Sequence, residues 1–264
     1  MIDDHVILLD RFLERPCSKE WLLPPRFDSR NSRIPPERFL FRSLPLRRCR
    51  SNLVLLRAVI FTGGRGPATL GTFEFHADND YVIAADSGLE LARSFQIRPD
   101  SIVGDFDSLE NETLLSEYPA AEIERFNEAK DYTDTEIALQ AAERHGADEI
   151  VLIGGGGGRL DHLFGIFSLF HRRLHPNRWL TEDSVVQLIT GDHRETALPG
   201  QIVSFFPMKC SRCRMRSKGL RWPLDGLDWQ LGDAGVSNEF ETPTVHVTME
   251  EGTLLMIMPV QDSL

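Results

Sequence analysis

The sequence has little cysteine and no long apolar run. Its 264 residues include four cysteines: Cys17, Cys49, Cys210 and Cys213. They are too few for a disulfide framework and predict a reduced, cytoplasmic protein. The Cys-x-x-Cys pair lacks the second ligand pair that a structural zinc site needs. No run of about 18 apolar residues occurs, so no transmembrane helix is predicted, and the acidic start at Asp3 and Asp4 is unlike a secretory signal.

Positive charge is scarce beyond the N-terminal segment. The net charge is −11; residues 1–52 hold 11 Lys and Arg against 7 Asp and Glu, whereas residues 53–264 hold 18 against 33. Nucleic acids are bound by basic patches, so the acidic character of residues 53–264 argues against a nucleic-acid-binding protein. It suits a cationic partner, or an anion that arrives with its own metal ion. Residues 1–52, with scattered prolines and no clear hydrophobic period, are predicted to be a poorly ordered basic extension.

From Leu53 onward, apolar segments typical of buried strands alternate with amphipathic helices. Strands are predicted at residues 53–61, 81–85, 101–103, 122–126 and 150–153. The helix at about Asp161 to Leu174 is predicted to turn five apolar side chains inward: Leu163, Phe164, Ile166, Phe167 and Phe170. This alternation predicts a doubly wound, mostly parallel α/β sheet domain over residues 53–183. After Pro176 the segments are short and alternating, which predicts a smaller all-β sandwich domain over residues 184–264.

Acidic residues and glycines follow the predicted parallel strands. They occur as Asp86, as Gly104-Asp105-Phe106-Asp107-Ser108, as Lys130-Asp131-Tyr132-Thr133-Asp134, and as Gly154 to Gly158 followed by Arg159-Leu160-Asp161-His162. Open α/β sheets bind ligands at the carboxyl ends of their strands. Carboxylates that lie close together at such a site repel one another, and a divalent cation bound between them neutralises this repulsion. Magnesium prefers one or two carboxylates together with phosphate oxygens.

Each of these stretches also has a purely structural interpretation. Asp-x-Asp-Ser is a common turn and helix-capping pattern, Thr133 with Glu136 fits a capping box, and a lone His162 can simply pack. Five consecutive glycines suit a backbone that closely approaches a ligand at a helix start, although no Walker A loop is present. The combination favours a magnesium-nucleotide site. Because no Ser-His-Asp or Cys-His set stands out, it predicts phosphoryl-type transfer.

Four of these stretches and two later ones, in order from about Leu53 to the C-terminus, resemble the thiamine pyrophosphokinase (thiamine diphosphokinase) family. They are Ala85-Asp86-Ser87-Gly88, Gly104-Asp105-Phe106-Asp107-Ser108, Lys130-Asp131-Tyr132-Thr133-Asp134, Gly157-Gly158-Arg159-Leu160-Asp161-His162, Gly219-Leu220-Arg221-Trp222-Pro223-Leu224 and Gly235-Val236-Ser237-Asn238-Glu239-Phe240. The sequence departs from the family at Ser87, where a second glycine is common, and in its long polyglycine run.

The resemblance implies transfer of the terminal diphosphate of ATP to the hydroxyethyl oxygen of thiamine, giving AMP and thiamine diphosphate. It implies that Asp105, Asp107 and Asp134 surround Mg²⁺ and the transferring phosphates. It further implies a nucleotide-binding set: Asp86, Ser108, Lys130, Asp131, Thr133, Arg159, Asp161 and His162. Thiamine would lie at the subunit boundary of a homodimer, against Trp222, Ser237 and Asn238 of one chain. Either Asp107 or Asp134 could accept the hydroxyl proton.

Three other functions remain open from the sequence. The same chemistry could act on another aromatic alcohol such as a hydroxymethylpterin, although Trp222 and the Ser237-Asn238 pair favour thiamine. A metal-dependent glycosyltransferase could use the Asp-x-Asp pair, but nothing else indicates a sugar-nucleotide site. A non-catalytic nucleotide- or thiamine-sensing protein is disfavoured because binding alone would not require three aspartates.

Overall fold

The computed structural model describes residues 55–71, 73–76, 79–106, 112–126, 131–209 and 211–260. The predicted basic extension, residues 1–52, lies outside this part of the chain. In the described residues no helix is long and apolar enough to cross a membrane.

The described chain forms fourteen strands, three α-helices and a short 3-10 helix at Glu112–Glu117. The first part contains β1 (Arg57–Thr62), β2 (Asp80–Ala85), α1 (Gly88–Ser94), β3 (Ser101–Gly104), β4 (Glu122–Arg125), α2 (Asp134–Arg144), β5 (Glu149–Gly154) and α3 (Leu160–Leu169). The second part contains β6 (Arg178–Leu180), β7 (Ser184–Ile189), β8 (Asp192–Thr196), β9 (Ile202–Met208), β10 (Cys213–Lys218), β11 (Asp228–Trp229), β12 (Gly235–Glu239), β13 (Thr244–Glu251) and β14 (Thr253–Pro259).

Ten strands form one mixed sheet in the order β12-β9-β14-β7-β6-β5-β1-β2-β3-β4. From β6 to β4 neighbouring strands are parallel, and from β12 to β6 they are antiparallel. Alternate strand residues point to opposite faces. Ala58 and Ile60 therefore pack with α2 and α3, whereas Val59 and Phe61 pack with Ala92 of α1. The prediction of a doubly wound, mostly parallel sheet is confirmed.

The other four strands form an antiparallel sheet in the order β11-β10-β13-β8. Its inner residues Met215 and Val247 share one apolar core with Phe205 and Met256 of the ten-stranded sheet. This is the sandwich that the alternating pattern predicts. The large sheet is continuous where β6 pairs with β7, so the division at residues 183 and 184 stays a prediction.

The last predicted helix is shorter than expected, and one of its side chains points the other way. α3 ends at Leu169 rather than near Leu174. Phe164, predicted to face inward, is 61% exposed. The helix buries Ile166 and Leu169 against the sheet, and Phe164 lies with Leu160, four residues away, on its outer side.

Candidate active site

The carboxyl ends of the central parallel strands meet along one edge of the large sheet. Thr62, the last residue of β1, pairs with Ala85 of β2 and with Gly154 of β5, and Ala85 in turn pairs with Val103 of β3. The residues that follow these strands therefore lie side by side. This edge is where open α/β sheets bind ligands.

Two of the predicted carboxylates follow neighbouring strands at this edge. Asp86 follows β2 and is only 8% exposed, and Asp105 follows β3. A Cβ at Gly104 would lie 3.2 Å from the Asp86 Cα, so the two strand ends are in close contact. Asp86 (φ 50°) and Phe106 (φ 66°) both adopt left-handed backbone conformations, which cost energy in non-glycine residues and cluster at functional sites.

Two other predicted residues of this group, Asp107 and Ser108, lie outside the described part of the chain. Arg125, which ends β4, donates a hydrogen bond to the Asp105 carbonyl oxygen at 3.3 Å. Its guanidinium lies 4.9 Å from the Phe106 ring centroid. Sequence analysis missed this cation, although its position at the end of a predicted strand was a usable signal.

The start of α2 carries the next predicted group. Thr133 is the N-cap, and the predicted capping box with Glu136 is confirmed. Burial opposes ionisation of Glu136, but hydrogen bonds from Thr133 and from the Arg172 guanidinium outweigh it and lower the pKa of Glu136. Asp134 is the first residue of the helix, where the helix dipole stabilises a carboxylate. Asp131 is exposed just before it, and Lys130 lies outside the described residues.

A buried hydrogen bond brings the start of α2 to the strand-end edge. The hydroxyls of Thr62, at the end of β1, and Thr135, in the first turn of α2, are 2.7 Å apart. Asp134, next to Thr135, is thereby held at the same edge as Asp86 and Asp105. The two threonines are 73 residues apart in the chain, so no local pattern could have identified the pair.

The five-glycine run is explained largely by packing within the protein. A Cβ at Gly154 would lie 2.2 Å from the Thr62 carbonyl oxygen, and one at Gly155 2.3 Å from Ile166 Cδ1. Gly156 exchanges two backbone hydrogen bonds with Arg65. Of the five glycines in the run, only Gly158, with φ 68°, would place a Cβ in open space. Close approach to a ligand stays a prediction for this loop.

Arg159, Asp161 and His162 lie exposed at the start of α3. Arg159 forms an ion pair with Asp161, and its hydrogen bond lowers the pKa of the Asp161 carboxyl. Because His162 is exposed, it is not a core packing residue. The three side chains follow directly after the glycine loop, whose backbone pairs with the loop after β1.

The predicted thiamine-binding residues lie at the far end of the large sheet. Trp222 is 51% exposed, and the Arg221 guanidinium lies 4.8 Å from its ring centroid. Ser237 is exposed in the edge strand β12 and has φ 59°, at a register shift between Gly235 and Asn238. Asn238 is buried beside Trp222. Within one chain, these residues are not brought to the acidic edge.

The fold and the site together define a two-part protein, in which a doubly wound sheet with an acidic strand-end site continues into a β-sandwich. Models of two domains match the chain in that order. The thiamin pyrophosphokinase catalytic domain matches residues 74–181, and the thiamin pyrophosphokinase vitamin B1 binding domain matches residues 189–254. The chain belongs to the thiamine pyrophosphokinase family.

Individual relatives agree with this assignment. The thiamine pyrophosphokinase of Bacillus subtilis (strain 168) is 28% identical over 182 residues, which cover 66% of this chain and 85% of that protein. Thiamine pyrophosphokinase 1 of Oryza sativa subsp. japonica is 28% identical over 176 residues, covering 61% of this chain and 66% of that protein. The crystal structure of the Bacillus subtilis protein superimposes with a TM-score of 0.67 at 24% identity, over 78% of this chain and 100% of that chain, which supports the fold.

Proposed function

We propose that the protein is a thiamine diphosphokinase, which transfers diphosphate from ATP to the hydroxyethyl oxygen of thiamine and releases AMP. The observation that carries this proposal is the match of a catalytic and a vitamin B1 binding domain to the two parts of the chain. Asp86, Asp105 and the start of α2 lie in the first part, and the exposed Trp222 lies in the second. An acidic protein with an exposed tryptophan is also a suitable host for a cationic aromatic substrate.

The reaction requires orientation and charge neutralisation more than covalent chemistry by the protein. The thiamine hydroxyl oxygen forms a bond to the β-phosphorus of ATP, and the bond from that phosphorus to the oxygen of AMP breaks. Arg159 and Arg125 can neutralise phosphate charge at the strand-end edge. Asp134, or Asp107, would accept the hydroxyl proton.

The residues at this edge suit magnesium, which we include in the proposal. Carboxylate oxygens are the hard ligands that this ion prefers, and it commonly takes one or two of them and keeps waters and phosphate oxygens. Asp86 and Asp105 follow adjacent strands, and Asp134 is held at the same edge. Among the described residues no cluster of three or more such groups occurs; Asp107, one of the three predicted ligands, lies outside them. Bound magnesium would neutralise phosphate charge.

The distance between the two residue sets supports a site shared by two copies of the chain. Seven strand intervals separate β12 from β2 in the large sheet. At about 4.8 Å per interval this is roughly 34 Å, much longer than a molecule with two small rings. One chain therefore cannot bring Ser237 close to the carboxylates that would surround the transferring phosphates and the thiamine hydroxyl. We propose a homodimer in which Trp222 of one copy faces the acidic edge of the other.

We also propose a cytoplasmic location, which the low cysteine content suggests.

Mixed dimers test the shared site. Co-expression of an Asp134→Asn chain and a Trp222→Ala chain, each with its own tag, would give dimers in which one site combines the two unchanged halves. At a low thiamine concentration we expect the purified mixed dimer to reach about half the wild-type rate, because one of its two sites is intact, although each variant alone should have about one tenth of that rate or less. Double-tag purification followed by a product assay measures this. A purified mixed dimer with no more activity than its parents would contradict a site between subunits.

A further inference from the structure

The side chain of Asn238 is occupied by the backbone around Trp222. Asn238 Oδ1 accepts hydrogen bonds from the backbone N–H of Trp222 at 3.2 Å and of Glu239 at 2.8 Å. Its Nδ2 donates to the Trp222 carbonyl oxygen at 2.6 Å. An asparagine amide can make four hydrogen bonds, so the protein uses three of them. The residue is 5% exposed, which leaves little of it accessible to a ligand.

These bonds continue a strand pairing that the backbone itself does not complete. Leu220 and Phe240 form an antiparallel bridge, and the Arg221 N–H donates to the Glu239 carbonyl oxygen at 2.9 Å. The next residues in this register are Trp222 and Asn238. At this position, next to Ser237 with its left-handed backbone, the Asn238 side-chain amide forms hydrogen bonds with both the N–H and the carbonyl oxygen of Trp222.

The indole ring of Trp222 is held from one side as well. The Arg221 guanidinium lies over the ring and forms an ion pair with Glu239 at 2.7 Å. A stacking ligand therefore has access to the ring from the face that Arg221 leaves open. Asn238 fixes the backbone and Arg221 covers one face, so together they set where the open face points.

We propose that Asn238 is a positioning residue that presents Trp222 to thiamine and is not itself a contact of the substrate. This inference rests on the proposed function, because it gives the exposed tryptophan a ligand. It differs from the role in direct thiamine binding that the sequence resemblance implies for Asn238. A residue that acts through Trp222 has no effect of its own once the Trp222 ring is removed.

A double-mutant cycle separates the two roles. We expect Trp222→Ala to raise the KM for thiamine about 10-fold or more, as for a lost stacking partner. Asn238→Ala should raise it to a similar extent, with the KM for ATP and kcat at saturating thiamine unchanged. The double variant should resemble Trp222→Ala alone. If the two increases multiply instead, Asn238 contacts thiamine directly and the proposal is wrong.

Two further variants control for general damage. Asn238→Asp keeps the acceptor for two backbone N–H groups but turns a carboxylate oxygen toward the Trp222 carbonyl oxygen that Nδ2 contacts in the wild type, so we expect an increase in the KM for thiamine at least as large as that of Asn238→Ala. Asn177→Ala removes another asparagine that holds backbone, since its Oδ1 accepts from Ile150 N–H at 2.8 Å. It should leave both KM values unchanged. An equal effect of Asn177→Ala and Asn238→Ala would reduce the role of Asn238 to general stability.

Amide hydrogen exchange tests the positioning role of Asn238 independently of the proposed function. Exchange at Trp222 N–H needs no substrate, and we expect it to be faster in Asn238→Ala than in the wild type. Unchanged exchange would overturn the positioning role even if thiamine is the substrate. A wild-type protein that does not use thiamine would instead overturn the proposed function, whatever the exchange shows.

Discussion

Replacing Asp134 by asparagine is expected to lower kcat about 100-fold or more, while the protein remains folded. Asp134 is the first residue of α2, held at the strand-end edge by the neighbouring Thr135–Thr62 hydrogen bond. Proton transfer to a positioned side chain contributes about 10²–10⁴ in rate in enzymes, and Asp134 is a candidate for that role. The fold should survive because the capping box uses Thr133 and Glu136, which are unchanged. Steady-state kinetics with thermal unfolding measures both effects.

A matched variant at the other end of the same helix provides the control. Glu143 lies in the last turn of α2 and forms an exposed ion pair with Arg173. Glu143→Gln removes the same charge from the same helix, and exposed pairs contribute little to stability. We expect nearly wild-type kinetics. If Asp134→Asn also turned over at close to the wild-type rate, the assignment of Asp134 to the reacting groups would be wrong.

Replacing Gly154 by alanine is expected to destabilise the fold by about 3–5 kcal/mol, since both overpacking and a left-handed non-glycine residue are costly. The new Cβ would lie 2.2 Å from the Thr62 carbonyl oxygen, and the backbone φ is 103°. For a chain of this size, that corresponds to a fall in Tm of roughly 6–15 °C. Urea or thermal unfolding measures it, and a marked loss of soluble protein would agree.

Gly165 is the matched control for this substitution. It lies in the interior of α3, and a Cβ there would meet no atom within 4 Å. Alanine is the better helix former, so Gly165→Ala should be neutral or stabilise by up to about 1 kcal/mol. If Gly154→Ala unfolded at the same temperature as Gly165→Ala, the glycine run would not be required by packing.

The sequence predicted the parallel half of the fold well because its signals are local. Continuous apolar runs, such as Ala58 to Phe61, identify strands that are covered on both faces. Thr133 and Glu136, three residues apart, identify the start of α2. The acidic residues and glycines then follow the strands at positions that strand order alone brings together.

The features that the sequence did not predict depend on contacts between distant residues. Phe164 fits an apolar pattern, but the sheet has room for only one side of α3. The Thr62–Thr135 hydrogen bond and the packing of Gly154 against Thr62 are made by partners far apart in the chain. Strands β6 and β11, of three and two residues, are too short for a clear period, and β8 and β12 are mostly polar. The hydrogen bonds between the Asn238 amide and the Trp222 backbone also join residues that are distant in the chain. The sequence therefore suggested a ligand for this amide and did not reveal its backbone partners.

The most direct test of the proposed function is a product assay. The purified full chain is incubated with Mg²⁺, ATP and thiamine, and the products are separated by chromatography. We expect AMP and thiamine diphosphate in equal amounts, and no AMP when thiamine is omitted. AMP formed only when a hydroxymethylpterin replaces thiamine, or nucleotide binding with no turnover of thiamine, would contradict it.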